Sequence, residues 1–444
     1  MGRRRNRRKN LPPETANATI ESLAHDARGV THLDDRAVFI NGALPGEEVV
    51  FEYTKKKRDI AEGKVVEVIR ASADRVEPGC VHYSICGGCS FQHLAPEKQI
   101  HAKQTILVEQ FKSISNIEGF DIWPALSGPS WGYRHRARLG VKDVEKKGRV
   151  LVGFREKASP YLAEIEACKV LHPAVGERLM DLSALVGTLS IKNKLPQIEV
   201  SISDERTALV LRILEAITVE DTALLKAFEK TFDVDIYLQS KGPDTIVPLD
   251  GHKAELSYRL PNDVTLYFGP SDFVQVNVDI NRKMILRALE VLELNKDDNV
   301  LDLFCGLGNF TLPMAKEAGH VTGVEGSEEL IQRAKMNAEK NNLTNTDFYA
   351  ANLMEDVGHE PWVKQHYNKV LIDPPRLGAK EVLPWLKKWG AEQVLYISCN
   401  PSTLARDAGI LVNELGYTLK KAGVMDMFPH TSHVESIALF EKVT

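Results

Sequence analysis

Cys399 lies in Ser398-Cys399-Asn400-Pro401, directly behind the apolar run Val394-Leu395-Tyr396-Ile397 and ahead of Ser402-Thr403-Leu404, which reads as a helix start. Its sulfur is therefore expected at the mouth of a sheet. Backbone N–H groups and the macrodipole at a helix N-terminus favour thiolate over thiol, so the placement predicts a lowered pKa and a nucleophile. A lone cysteine is otherwise an inert core residue. What shifts the balance is a second constellation upstream.

Asp302-Leu303-Phe304-Cys305-Gly306-Leu307-Gly308-Asn309-Phe310 joins a buried strand to a glycine turn and a helix start, which lets backbone approach a nucleoside closely. The third glycine of the dinucleotide-binding pattern is missing, which disfavours a pyrophosphate seated on the helix. The next strand ends in Val324-Glu325-Gly326, where a carboxylate can take both hydroxyls of a ribose, and Asn352 ends the strand after that. Asp373-Pro374-Pro375-Arg376 closes a fourth strand; D-P-P is shared with amino-methyltransferases acting on adenine, but those want an aromatic residue where Arg376 stands.

The two constellations define a chemistry when taken together. C5 of uracil is too poor a nucleophile to take a methyl group from a sulfonium, but addition of a thiolate at C6 makes C5 part of an enolate. After transfer, a base must remove the C5 proton so that the sulfur can leave. Near the C-terminus, His433-Val434-Glu435-Ser436 offers Glu435 for that task and, by residue type alone, His433 equally.

The elements that must position these residues alternate in kind. From about residue 273 the order is a helix over 279–293, strand NVLDLF, a helix from Phe310, strand HVTGVEG, a helix over 327–341, then strands KVLIDPP, VLYISC and VESIALFEK. That grammar predicts a doubly wound parallel α/β sheet with ligands at the carboxyl ends of its strands. Residues 131–260 alternate β-like runs with one helical stretch near 219–231, a mixed α/β region. Within it Arg134, Arg136 and Arg138 share one face of a strand, for RNA contact or for salt bridges with acidic neighbours. One amphipathic helix follows Pro96. Short alternating runs broken by Gly, Pro and Asp between Thr19 and Arg70 read as a small β-barrel, with Lys55–Arg58 in one of its turns. Residues 1–10 carry six Arg or Lys and no acid, a tail suited to phosphates or simply solvated.

At 444 residues the chain calls for several domains, and no apolar run approaches the ~20 residues that cross a bilayer. The basic N-terminus lacks the apolar segment of a secretion signal, so a cytoplasmic protein is expected. There, structural disulfides are disfavoured, and six cysteines must be weighed as metal ligands or catalysts. Cys80, Cys86 and Cys89 cluster, with Cys168 apart; by spacing alone four thiols fit zinc as well as an iron–sulfur cluster. The net charge of −5 leaves any polyanionic partner to local patches.

Phe273-x-Gln275-Val276-Asn277, D-L-F-C-G-x-G-N-F, D-P-P-R, S-C-N-P and H-x-E-S together resemble the RNA (uracil-C5)-methyltransferase family over nearly the whole chain. The resemblance implies a Rossmann-like S-adenosylmethionine site lined by Gln275, Phe304, Asn309, Glu325, Asn352 and Asp373, with Cys399 as nucleophile and Glu435 rather than His433 as base. The front half resembles the 23S ribosomal RNA branch. That implies a TRAM barrel over 11–70 behind the 1–10 tail, and a [4Fe–4S] cluster on Cys80, Cys86, Cys89 and Cys168. It further implies a central RNA-binding domain of 71–92 with 126–272, and a catalytic domain of 93–125 with 273–444. Cys305 is left to packing. A monomer acting on 23S ribosomal RNA is expected, against the same chemistry on another rRNA or a tRNA uridine, or an inactive assembly factor.

Overall fold

Alternating apolar residues build six short strands at the front of the chain: β1 (Thr15–Thr19), β2 (Ser22–Leu23), β3 (Gly29–Leu33), β4 (Arg36–Asn41), β5 (Glu48–Lys56) and β6 (Ile60–Arg70). In the computed structural model, which describes residues 14–251 and 255–443, they form one sheet in the order β1-β5-β6-β4-β3-β2. The basic run 1–10 and the first three residues of the expected barrel lie outside the described residues. Every second side chain points inward, so Val38, Ile40, Val49, Phe51 and Ala61 make a shared core. Glu47 is fully buried and matched, taking Arg75 Nε at 2.5 Å and the backbone N–H groups of Leu44 and Ser72. The basic turn is solvated: Lys56 meets Glu14 and the Tyr53 ring, and Arg58 meets Asp59.

The chain divides into two compact units. One takes the residues up to Gly79, Ser90–Ala102 and His430–Ser432; the other takes Cys80–Cys89, Lys103–Pro429 and the chain from His433 onward. Helix α1 (Pro96–Ser115) begins in the first and continues in the second, followed by the two-residue strand β7 (Asp121–Ile122). A second sheet comprises β8 (Arg136–Val144), β9 (Arg149–Gly153), β10 (Gln197–Ile202), β11 (Thr207–Arg212), β12 (Asp235–Gln239) and β13 (Ile246–Pro248), ordered β13-β12-β11-β10-β8-β9. Three helices accompany it where one was expected: α2 (Pro173–Gly176), α3 (Leu179–Thr188) and α4 (Val219–Phe232). α4 announces itself by a capping box between Thr218 and Asp221. α3 has no side-chain cap, and its residues LMDLSALVGT are mostly apolar, so no polar face marks it in the sequence. Of the three arginines, Arg136 and Arg138 both form salt bridges with Glu199 of β10, whereas Arg134 donates to the Arg136 carbonyl. Strands β14 (Leu256–Leu260) and β15 (Val264–Phe268) form a hairpin, turned by Asn262 and Asp263 at left-handed φ of 61° and 54°.

The third sheet carries the chemistry. Its parts are α5 (Val278–Leu292), β16 (Asn299–Leu303), α6 (Thr311–Ala315), β17 (His320–Glu325), α7 (Glu328–Lys340), β18 (Thr346–Ala350), β19 (Lys369–Ile372), α8 (Leu386–Trp389), β20 (Gln393–Ser398), α9 (Pro401–Asn413), β21 (Tyr417–Met425) and β22 (Glu435–Lys442). The order is β18-β17-β16-β19-β20-β22-β21-β7, with β16 to β20 parallel. The central strands are buried on both faces, as their unbroken apolar runs require. The sheet is not wholly parallel: β22 runs antiparallel to both β20 and β21, and β21 was not foreseen. β21 and β22 are joined without a helix, so the strand–helix alternation seen from β16 to β18 is absent there. Among the described residues, no helix is long and apolar enough to cross a membrane.

Candidate active site

From β16 the chain moves outward through β17 to β18, then returns to place β19 on the other side of β16. At such a reversal the loops leaving neighbouring strands part in opposite directions and open a crevice at their carboxyl ends. Five sequence-predicted residues sit along that edge: Phe304 after β16, Glu325 ending β17, Asn352 just past β18, Asp373 after β19 and Cys399 after β20. Glu435 joins them because β22 is antiparallel: Ser436 pairs with Ser398, so Glu435 lies opposite the position of Cys399.

The turn after β16 is held open. Phe304 takes a left-handed φ of 66°, costly for a bulky residue, while its N–H and that of Cys305 both bond the Val324 carbonyl. Gly306 is left-handed as well, and a Cβ there would meet no atom within 4 Å, so the space before the backbone is open. Glu325 borders it, accepting N–H bonds from Gly306 at 3.2 Å and Gly326 at 2.7 Å. Asn352 is turned locally, donating to Glu355 and accepting from the Met354 N–H. Asn309 exchanges two hydrogen bonds, of 2.8 and 2.9 Å, with buried Asn281 of α5. Gln275 is half-buried in the segment before α5, whose neighbours pair with residues 134 and 135 and whose Asn277 caps the helix. Beneath the turn, Asp302 takes the Thr311 hydroxyl on Oδ2, while buried Oδ1 finds no partner among the described residues. Burial, with Asp373 and Glu325 nearby, raises Asp302 to about 7 despite Thr311. An open glycine turn with three acidic groups around it suits a cationic nucleoside.

Around Cys399 the expected electrostatics are reversed. Burial, then the Glu435 and Asp373 carboxylates, push the thiol up to about 11; only Arg376 and a backbone N–H oppose them. The lowered pKa predicted from the helix start is thus wrong. Asn400 Oδ1 caps the Ser402 N–H itself, and desolvation outweighs what the helix end contributes. Glu435, 7% exposed, is pushed to about 8 by burial and Asp373, against Arg376 and Lys103. Burial alone raises Asp373 to about 7. Arg376 donates to His433 Nδ1 at 3.2 Å, and burial followed by this guanidinium holds that imidazole below its usual range. Its loop is braced by Asn400 and Thr403 side chains donating to the Arg376 carbonyl. Sequence reading passed over Lys103, Asn281 and Arg376 as site residues; only Arg376 carried a signal, inside D-P-P-R.

Cys86 and Cys168 are raised by burial and by neighbouring thiols, Cys80 for the first, Cys86 and Cys80 for the second. Opposing this, Gly88 N–H points at Cys86 Sγ at 3.4 Å, and Leu171 and Val170 N–H groups favour thiolate at Cys168. Cys89 and Cys168 both lie within electrostatic reach of Tyr133. As placed, no three His, Cys, Asp or Glu among the described residues are drawn together closely enough to hold a single metal ion. Cys305 is buried in the core of the third sheet.

A reversal-point crevice with a nucleoside-shaped turn, on a largely parallel sheet into which an antiparallel strand is inserted, defines a Rossmann-like S-adenosylmethionine-dependent methyltransferase. The sequence profile described as tRNA (uracil-5-)-methyltransferase matches residues 95–443. The chain belongs to that family. A 23S rRNA (uracil(1939)-C(5))-methyltransferase of Methylococcus capsulatus is 53% identical over 440 residues, 99% of each chain. Its namesake in Alkalilimnicola ehrlichii is 48% identical over all of this chain and 99% of its own. Among solved structures, Pyrococcus abyssi tRNA (uracil-54, C5)-methyltransferase, in complex with S-adenosyl-L-homocysteine, superposes with a TM-score of 0.72. It is 25% identical, over 96% of this chain and 100% of its own.

Proposed function

We propose that this enzyme methylates C5 of a 23S ribosomal RNA uridine, of the uracil-1939 type named for its relatives, through a covalent bond between Cys399 and C6. The observation that supports the mechanism is the pairing of Ser398 with Ser436, which brings Cys399 and Glu435, read here as nucleophile and base, to facing positions. S-adenosylmethionine supplies the methyl group on a sulfonium whose positive charge suits a crevice of Asp302, Glu325 and Asp373. Glu325 is the group for the ribose hydroxyls, and Gln275, Phe304, Asn309, Asn352 and Asp373 line the remainder. Cys399 passes its proton to solvent and adds to C6, opening the C5–C6 double bond into an enolate whose C5 takes the methyl group and leaves S-adenosyl-L-homocysteine. Glu435 then removes the C5 proton, the C5–C6 double bond re-forms, and the C6–S bond breaks to release the sulfur. Burial serves this step, since a carboxylate poised near 8 is a far stronger base than one in water.

Cys80, Cys86, Cys89 and Cys168 suit a [4Fe–4S] cluster by chemistry: four thiols, of which Cys80, Cys86 and Cys168 lie within electrostatic reach of one another and two receive backbone N–H groups that favour thiolate. The reaction consumes no electrons, so the cluster is assigned to shaping the central domain, 71–92 with 126–272. The 11–70 region is assigned as the TRAM barrel, which with the central domain contacts RNA, and 93–125 with 273–444 form the catalytic domain. The enzyme works in the cytoplasm as a monomer.

The test is transfer of labelled methyl groups to protein-free 23S rRNA and to tRNA, with the product mapped to its nucleotide. We expect 5-methyluridine at one 23S position in an enzyme that carries iron and acid-labile sulfide. Methylation of tRNA alone, the substrate of the solved relative, would move the assignment there.

A further inference from the structure

One buried charge has no part in that chemistry. Lys103 of α1 has a side chain only 1% exposed, and its ammonium is fixed from two directions, by Asp426 Oδ1 at 2.7 Å and the Phe428 carbonyl at 3.0 Å. Asp426 follows Met425, and Met425 is the residue that faces Glu435 across β21 and β22. Next to Lys103 on α1, Gln104 accepts the N–H of Val424, which ties the helix to this end of β21. Such a pair is a poor way to stabilise a core, because desolvating two charges offsets most of their attraction. Its position beside the base suggests what it is for.

We propose that Lys103 is a positioning residue for proton removal, its pinned ammonium keeping Glu435 ready to accept the C5 proton. The inference rests on the Cys399–Glu435 reading. The charged groups that face Glu435 come from several elements. Asp373 after β19 disfavours the carboxylate; Arg376 in the exposed loop and Lys103 from α1 favour it; Cys399 after β20 is an uncharged thiol below about pH 11, and His433 before β22 is held below its usual range by burial, then by Arg376, Lys103 and Arg134. Arg376 is exposed and bonded to His433, whereas Lys103 is buried and cannot be screened by solvent. Lys103 is therefore the cation that keeps its effect in salt and with RNA bound.

The experiment compares pH profiles of single-turnover methylation for wild type, Lys103→Met and Lys103→Arg, using the full-length holoenzyme and an RNA fragment containing the target. With Lys103→Met the rising limb moves to higher pH, as loss of a nearby opposite charge requires, and the rate near pH 7 falls several-fold. RNA KM stays put, and methylated RNA bound to Cys399 accumulates because sulfur release is slowed. Lys103→Arg restores the limb. A limb at the wild-type pH with only a lower plateau would reduce Lys103 to a structural role and overturn the inference. Should Lys103→Met not fold, the double variant Lys103→Gln, Asp426→Asn removes both charges while keeping an amide pair, and the same shift or its absence decides. A 5-fluorouridine RNA distinguishes the underlying reading. If wild type forms no adduct with it the covalent route falls, and the inference with it; an adduct with an unshifted limb removes the inference alone.

Discussion

Glu435 holds its proton up to about pH 8, yet as the proposed base it must act as a carboxylate in the last step. Cys399, near 11, is likewise a thiol at neutral pH. Both requirements point the same way: the chemical step speeds up as pH rises from 7 to 9. Glu435→Gln keeps the shape of the side chain and removes the proposed base, so turnover should fall roughly 10²–10⁴-fold while RNA becomes trapped on Cys399. Denaturing gels of the variant with natural RNA would show the adduct; its absence, with turnover intact, would move the base to His433. The types and places of these two residues were legible in the sequence because each sits at the end of a marked strand. Their protonation was not, because burial and the facing carboxylates arise only when β19, β20 and β22 come together. Lys103 was illegible for the same reason. Among Gln99, His101 and Gln104 it reads as an exposed helix position, and only packing against β21 buries it.

The turn between β16 and α6 shows how one element divides structural from binding duties. Gly306 and Gly308 both have left-handed φ, of 56° and 92°, a conformation that costs other residues roughly 1–2 kcal/mol. A Cβ on Gly308 would also stand 2.9 Å from Leu312 Cγ, inside the start of α6, whereas one on Gly306 would enter empty space. Gly308→Ala should therefore lower the melting temperature more, and Gly306→Ala should weaken S-adenosylmethionine binding more relative to its loss of stability. Calorimetry and thermal melts of both variants check the ordering; equal effects in both assays would deny the open face at Gly306. Elements of this kind could be read in advance, since a glycine turn between an apolar strand and a helix needs no tertiary partner to be recognised. α3 and β21 could not, the first lacking a polar face and the second a separating helix. Arg136 and Arg138 of β8 carry two readings in the sequence, and their salt bridges appear only when strand pairing brings Glu199 beside them.

Across the whole molecule, buried acids make stability depend on pH with a definite sign. Asp302 and Asp373, near 7, and Glu435, near 8, hold protons in the folded state that the unfolded chain gives up near 4. Their contribution is fully present below the unfolded values and is lost as pH rises through 7 to 8. Glu47, where burial is outweighed by Arg75 and two N–H donors, acts oppositely, its contribution being lost at the acid end. His135, His172 and His433, lowered first by burial, favour folding as pH rises, but only up to about 6.5, where the unfolded imidazoles have lost their protons. Between pH 7 and 8 the carboxyl groups are left to dominate, so the melting temperature should fall across that interval. A cation bound among the charged carboxylates reverses part of the loss, so S-adenosylmethionine should raise the melting temperature more at pH 8 than at pH 6. Asp302→Asn should flatten the slope, because the amide cannot ionise. Thermal melts at constant ionic strength would sink the argument if the slope between pH 7 and 8 were flat or rising in wild type, or unchanged in the variant.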